Sequence, residues 1–126
     1  AQQRASTAGG VMSGAALVWC PFPDADSARA AAATLLDEQL IACANILGAI
    51  ESHFIWDGAR ASGNEIGVLF KTTDDCLQPL VNRLGSIHPY DTPAIIGWRC
   101  DAAHPASLAW LAASCGHERG DEQPER

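Results

Sequence analysis

Asp57-Gly58, set between two long runs of β-type residues, constrains the fold of this chain more than any other feature. Asp-Gly readily adopts the left-handed backbone of a two-residue hairpin turn, and a hairpin dictates which flanking residues lie opposite one another. Before the turn, Cys43 to Trp56 carries Ile46, Ile50, Phe54, Ile55 and Trp56; after it, from about Gly63 to Thr72, Ile66, Val68 and Phe70 alternate. Both runs reach about ten residues or more, which exceeds 30 Å at roughly 3.3 Å per residue. A compact domain of about 100 residues has a radius of gyration near 13 Å, so the hairpin overshoots its own core. Apolar residues also occur at both parities, Ile46, Ile50 and Phe54 on one face and Leu47, Ala49 and Ile55 on the other. A long apolar strand left in water aggregates unless a partner covers it, so the pattern predicts an obligate oligomer.

The remaining elements are read from their punctuation. Ala15 to Cys20 is a continuous apolar run ended by Pro21 and Pro23, the pattern of a covered central strand. Asp24 offers an N-cap for an alanine-rich helix over Ala28 to Ile41, with Ala28, Ala32, Leu35 and Leu36 at helical spacing. Asp75 and Gln78 resemble a capping box, followed by a stripe of Leu77, Leu80, Val81, Leu84 and Ile87, with Pro79 tolerated near the first turn. Ala94 to Cys100 reads as another strand. Pro105 opens a last helix with Leu108, Leu111, Ala112 and Cys115 on one side and Gly116 as its stop. The order β-α-β-β-α-β plus a terminal helix predicts an α+β fold, the ferredoxin-like split βαβ, with an antiparallel sheet and helices on one face. One domain spans residues 15–115. Residues 1–14 read as a flexible leader in which Met12 is a candidate native start, and 116–126 as a disordered charged tail.

Charge narrows the function. Eight basic against fifteen acidic residues leave a net charge of −7, with Lys71 the sole lysine, so a nucleic-acid partner is disfavoured. No run approaches the roughly 18 apolar residues of a membrane span, and membrane insertion is not expected. The five cysteines, at 20, 43, 76, 100 and 115, are odd in number and form no Cys-x-x-Cys. Reduced, buried thiols are the expectation, and with them a cytoplasmic location. A periplasmic one is disfavoured because residues 1–14 have no apolar signal segment.

His88 to Pro93, His-Pro-Tyr-Asp-Thr-Pro, carries the chemistry. Pro89 and Pro93 push His88 and Thr92 out of the α region and make the segment a stiff connector. Two readings stay open: the loop is functional, or Tyr90 and His88 pin it to the core. Tyr90, the only tyrosine, is expected to be mostly buried, with its hydroxyl hydrogen-bonded, close to Glu65 or Lys71 of its own or an adjacent chain. The histidines at 53, 88, 104 and 117 lack metal-ligand spacing; His104, before a helix-opening proline, and His117, in the tail, read as structural or solvated. Ferredoxin-like topology brings the first strand, ending at Cys20, beside the strand carrying Glu65 and Lys71, so these and His88 are candidates for a nonlocal cluster. A buried structural thiol is the plainer reading of Cys20. A Cys20–His88–Asp91 triad is poor on geometry, because His88 and Asp91 share one short stiff loop. Asp74-Asp75 reads as helix capping, no phosphate-binding glycine loop is present, and nothing in the sequence demands an enzyme.

Several of these segments together carry a resemblance. They are Cys20 three before Pro23, Leu40-Ile41-Ala42-Cys43-Ala44-Asn45-Ile46, Trp56-Asp57-Gly58, EIGVLFKTT over Glu65 to Thr73, His88 to Pro93, and Leu108-Ala109-Trp110-Leu111. The chain resembles the CutA divalent-cation tolerance proteins over roughly residues 15 to 115. The resemblance implies a ferredoxin-like protomer packed into a homotrimer, with divalent metal ions, copper above all, bound through Cys20 and His88. Similar trimers include the PII signal proteins, which bind small effectors between subunits. The alternative it implies is therefore a regulator taking a small anionic or zwitterionic molecule in an intersubunit cleft near Glu65, Lys71, Tyr90 and Asp91; an uncharacterised enzyme using that cleft is a remote third reading. This chain departs from the family pattern: Ile87 stands where some relatives have a second histidine, Ala94 where glutamate is common, Ala59 for a frequent lysine and Pro21 for a usual threonine. The ligand set left, Cys20 and His88 with Glu65 or Asp91, is thin. Cu(I) accepts two or three soft ligands whereas structural Zn(II) wants four, so any copper binding is expected to be weak but stronger than zinc binding, and no cofactor is required.

Overall fold

The computed structural model describes residues 14–116. Apart from Gly14 and Gly116, the expected leader and tail, with Met12 and His117, lie outside the described residues. The elements run β1 (Ala15–Phe22), α1 (Ala25–Asp37), β2 (Cys43–Trp56), β3 (Ala59–Thr73), α2 (Asp74–Ile87), β4 (Ile96–Arg99) and α3 (Pro105–Ser114). The sheet order is β2-β3-β1-β4 with every pairing antiparallel, the ferredoxin-like arrangement expected.

β1 is the strand around which the rest is built. It pairs with β3 from Ala15↔Thr73 to Phe22↔Ile66 and with β4 from Ala16↔Arg99 to Trp19↔Ile96. The register puts Ala16, Val18, Cys20 and Phe22 on one face with Thr72, Phe70, Val68 and Ile66. α1 and α2 cover that face with Ala28, Ala31, Leu35, Leu77, Leu80 and Leu84, which with Ile41 complete the core. Each buried Leu or Phe contributes about 1.5–3 kcal/mol. β1 continues past Pro21 because β4 has already ended at the Trp19 pairing, and a proline on an open strand edge removes no ladder bond. β4 is shorter than the Ala94–Cys100 expected, running Ile96–Arg99.

The helices differ from expectation at their ends. Asp24 is the N-cap, accepting from the Ser27 N–H at 2.7 Å, but α1 starts at once at Ala25 and stops at Asp37 rather than Ile41. Gln39, at φ 60, ends it. The Leu40 N–H reaches back to the Leu35 carbonyl at 3.0 Å and the Gln39 N–H to Leu36 at 3.1 Å. This is a Schellman closure made with glutamine where glycine is usual. With the helix shortened, Leu36 is 45% exposed and lies outside the packed stripe. α2 is capped by Thr73, whose hydroxyl accepts the Cys76 N–H at 3.3 Å, and Asp75 lies inside its first turn. Pro79 falls beyond that turn and denies the Asp75 carbonyl its helical partner, at a point where both residues are exposed to solvent. His104 is structural as expected: its Nδ1 accepts the Ala106 N–H at 3.1 Å and caps α3.

The hairpin turn has the positive φ values that its sequence calls for, 54° at Asp57 and 79° at Gly58. β3 starts directly after it at Ala59, not Gly63, so Ile50–Trp56 and Ala59–Glu65 form a two-stranded arm beyond the end of β1. A bulge alters the expected faces. Ile46 pairs with Val68 and Gly48 with Gly67, leaving Leu47 as the extra residue, and Gly48 takes φ +102 to accommodate it. Ile46 therefore shares the helix-covered side with Ala49 and Ile55, while Ile50, Phe54 and Trp56 turn to the opposite face. That face has no helix, and on it Leu17 and Trp19 lie beside Leu69, Lys71, Ile96 and Trp98. No helix among the described residues is long and apolar enough to cross a membrane.

Gly97 marks the tightest approach of β4 to the core. A Cβ there would lie 2.8 Å from Leu77 Cδ1 and 2.9 Å from Val18 Cγ2. Gly97→Ala is expected to destabilise the fold by about 1–3 kcal/mol, the usual cost of overpacking. A lowered urea midpoint at unchanged m-value is the measurement; an unchanged midpoint would show that β4 yields freely.

Candidate functional site

Pro89 places His88, at φ −69 and ψ 141, just past the last turn of α2, where its N–H still closes on the Leu84 carbonyl at 2.9 Å. The imidazole turns inward, 8% exposed, and lies over Phe22 with ring centroids 4.5 Å apart and an interplanar angle of 26°. Its Nδ1 is 3.1 Å from the Tyr90 backbone nitrogen and its Nε2 2.8 Å from the Pro21 carbonyl oxygen. A backbone N–H can only donate, so Nδ1 is the bare nitrogen and Nε2–H donates to Pro21. Both ring nitrogens are engaged in holding the loop.

Cys20 reaches the same carbonyl, its Sγ 3.8 Å from the Pro21 oxygen. The thiol is fully buried, and desolvation, with a lesser contribution from the Glu65 carboxylate, pushes it up to about 12. Tyr90 extends the cluster outward: its ring centroid is 4.9 Å from that of His88, and its hydroxyl donates to Glu65 Oε2 at 3.0 Å. The hydroxyl partner is the expected one, but the burial is not. At 37% exposed, Tyr90 sits at the rim, because the stiff loop carries its ring outward past His88. Phe70, Phe22, His88 and Tyr90 thus form a column of rings leading from core to surface.

The other candidates divide. Glu65 joins the cluster from just beyond the β1-paired part of β3, and Asp24 at the start of α1 bears on Tyr90 electrostatically. Lys71 does not join within one chain: it pairs with Leu17 and Cys43, six residues along β3 from Glu65 or about 20 Å away. Asp91 is exposed on the loop. The Pro21 carbonyl and the Phe22 ring, the two groups that seat His88, were not singled out from the sequence. Only the proline after Cys20 hinted at them, and the direction of a carbonyl cannot be read from residue type. Among the described residues no three His, Cys, Asp or Glu side chains converge on a point that would hold a metal ion. The two proposed donors sit together, but one is protonated and the other is hydrogen-bonded at both nitrogens.

A one-sided, four-stranded antiparallel sheet joined to a proline-stiffened loop at the end of β1 defines a ferredoxin-like α+β protein. The sequence profile of the CutA1 divalent ion tolerance protein family matches residues 16–114, and the chain belongs to that family. It is 40% identical over 95 residues, 75% of this chain and 92% of the relative, to the divalent-cation tolerance protein CutA of Pyrococcus horikoshii. The crystal structure of the divalent ion tolerance protein CutA1 from Ehrlichia chaffeensis superposes with a TM-score of 0.78 at 34% identity, covering 82% of this chain and 97% of that one. A protein from Archaeoglobus fulgidus described as a periplasmic divalent cation tolerance protein CutA gives 0.75 at 25% identity, covering 79% and 97%.

Because Tyr90 is the only tyrosine, its ionisation can be followed without interference. Desolvation, then the hydrogen bond and negative charge of Glu65, raise the phenol to about 12. A phenol raised in the folded state contributes stability that is complete below its unfolded value near 10 and is lost as pH rises through about 12. Phenolate absorbance should therefore appear late in an alkaline titration, and Glu65→Gln should bring it to lower pH. Coincident curves for parent and variant would mean that Glu65 does not govern Tyr90.

Proposed function

We propose that this chain serves divalent-cation tolerance as a homotrimer in which neighbouring copies cover the helix-free sheet face and the hairpin arm, with weak copper binding at Cys20 and His88. The apolar character of that face is the observation that carries the reading. Ile96 is 61% exposed, Trp56 57%, and Phe54 and Trp98 45% each. The Trp19 ring closes over Gly67, where a Cβ would come within 2.6 Å of it, with Ile50 beside it, so these side chains are held in place on that face before any partner arrives. A patch of this size and aromatic content fits a second copy of the same chain better than water. The stoichiometry of three follows the family resemblance. Sedimentation equilibrium should give about three times the chain mass of 13.3 kDa, with an unfolding midpoint that rises with protein concentration. A stable monomer at micromolar concentration would overturn this reading.

The copper part rests on Cys20 and His88 meeting at one carbonyl. A thiolate and an imidazole suit Cu(I) better than Zn(II), which usually needs four ligands. Binding has to remove the thiol proton and one of the two imidazole hydrogen bonds, which accounts for weak affinity. With the thiol at about 12, every Cu(I) bound at neutral pH releases a proton. Apparent affinity should therefore rise by about tenfold per pH unit between roughly pH 6 and 8. In competition with a chelating dye, Cys20→Ser and His88→Ala should each weaken Cu(I) binding by about tenfold or more. Equal binding by both variants and the parent would remove the site.

Other lines agree with a binding protein. The relatives are named for cation tolerance, and His88 is committed to the loop through both ring nitrogens. All five cysteines are free thiols, which suits the cytoplasm, and the net charge of −7 disfavours nucleic acid. The half-exposed Tyr90–Glu65 pair favours a second reading, a PII-like regulator binding a small molecule at the rim, to which Lys71 would have to come from a neighbouring copy. In a thermal-shift screen of small metabolites, that regulator would lose its response in Lys71→Ala and Tyr90→Phe and keep it in Cys20→Ser.

A further inference from the structure

Cys76 and Cys115 are thiols that the site above leaves unused and that the fold brings together. Cys76 stands in the first turn of α2, Cys115 directly follows α3, and each is 5% exposed. A Cβ built on Gly116 would lie 3.3 Å from Cys76 Sγ, so this sulfur touches the residue next to Cys115. The two thiols also bear on each other electrostatically, and a disulfide between them requires their Cα atoms to come within about 4.4–6.8 Å.

Adjacent threonines hold both cysteines from the sheet side. The Thr73 hydroxyl accepts the Cys76 N–H at 3.3 Å; the Thr72 hydroxyl donates to the Leu40 carbonyl at 2.7 Å and lies within hydrogen-bonding reach of the Cys115 thiol. The end of α3 is fixed as well, Cys115 N–H to the Leu111 carbonyl at 3.0 Å and Gly116 N–H to Gln39 at 2.9 Å. The other thiols are engaged elsewhere: Cys20 beside Pro21, Cys43 directed to Asn45 at 3.5 Å, and Cys100 near Asp74 and Asp101.

We propose that Cys76 and Cys115 are a redox couple, closed by a peroxide into an intramolecular disulfide that fastens the end of α3 to the first turn of α2. Cys115, fixed at the end of α3, is the resolving thiol, and Cys76, in the first turn of α2, is the first to react. Its sulfur, giving its proton to water, attacks a peroxide oxygen; the O–O bond breaks, leaving a sulfenic acid on Cys76 and one water. The Cys115 sulfur then attacks the Cys76 sulfur, the S–O bond breaks, and the hydroxyl leaves as a second water with the Cys115 proton. Two thiols lose two electrons and one peroxide is reduced. Nothing in this step depends on the copper reading.

The test uses the full chain treated with hydrogen peroxide, alkylated, digested without reductant and mapped by mass. The expected product is a cross-linked peptide pair containing Cys76 and Cys115, lighter than the two thiol peptides by two hydrogens and separated again by dithiothreitol. In Cys115→Ala, dimedone should label Cys76; in Cys76→Ala, Cys115 should stay alkylatable after the same exposure. Linkage through Cys43 or Cys100, cross-linking between chains, or full alkylation of both residues after oxidation would overturn the proposal. The mapping on the unsubstituted chain decides even if a variant fails to fold.

Discussion

The helices cover only one face of the sheet, and most of what is unusual in the molecule follows from that imbalance. On the covered side, Phe22, Phe70, Val18, Val68, Leu35, Leu80 and Leu84 are removed from water almost completely. On the other side the same strands present Leu17, Trp19, Leu69, Ile96 and Trp98, and the arm adds Ile50, Phe54 and Trp56. An isolated two-stranded ribbon is marginally stable in water, and this arm runs on past the end of its pairing with β1. A surface supplied by another copy would stabilise arm and face together, so folding and assembly would be coupled.

His88 sets the character of the site. The residue most readily taken for a metal ligand also acts as a fastener: one nitrogen holds the Pro21 carbonyl, the other holds the Tyr90 N–H, and the ring fills the space above Phe22. The two open readings of the loop, functional or pinned to the core, are therefore not exclusive. The pinning supplies a geometry in which Tyr90 meets Glu65 at the surface, and any metal must compete with it.

The fold was legible because its strongest signals are local. Asp57-Gly58, the apolar run after Ala15, the α2 stripe and Pro105 each specify an element through chemistry within a few residues. The errors came where tertiary context decided. Gln39 ends α1 in a conformation usually left to glycine, held by bonds to Leu35 and Leu36 and by Leu40 packing on the core. Leu47 shifts the strand by one residue, so a strict two-residue period assigns the wrong face to everything on one side of it. Thr73 displaced Asp75 as a cap because the strand continues to the helix without a loop. Cys20, Glu65, His88 and Tyr90, singled out from residue type and topology, lie together in the fold. Lys71 stands apart from them within one chain because strand register, not composition, sets distance along β3.

The placement of the aromatic residues has an optical consequence. None of the four tryptophans is buried in the single chain: Trp56, Trp98 and Trp110 are exposed and Trp19 is partly covered. Three of them, Trp19, Trp56 and Trp98, share the helix-free face, so intrinsic fluorescence is weighted toward the surface where copies would meet. The core beneath α1 and α2 contributes none of that emission. The colour of the emitted light would therefore follow association rather than the integrity of the protomer, and a protomer that kept its hydrophobic core but lost its neighbours would look, by fluorescence, like an unfolded chain.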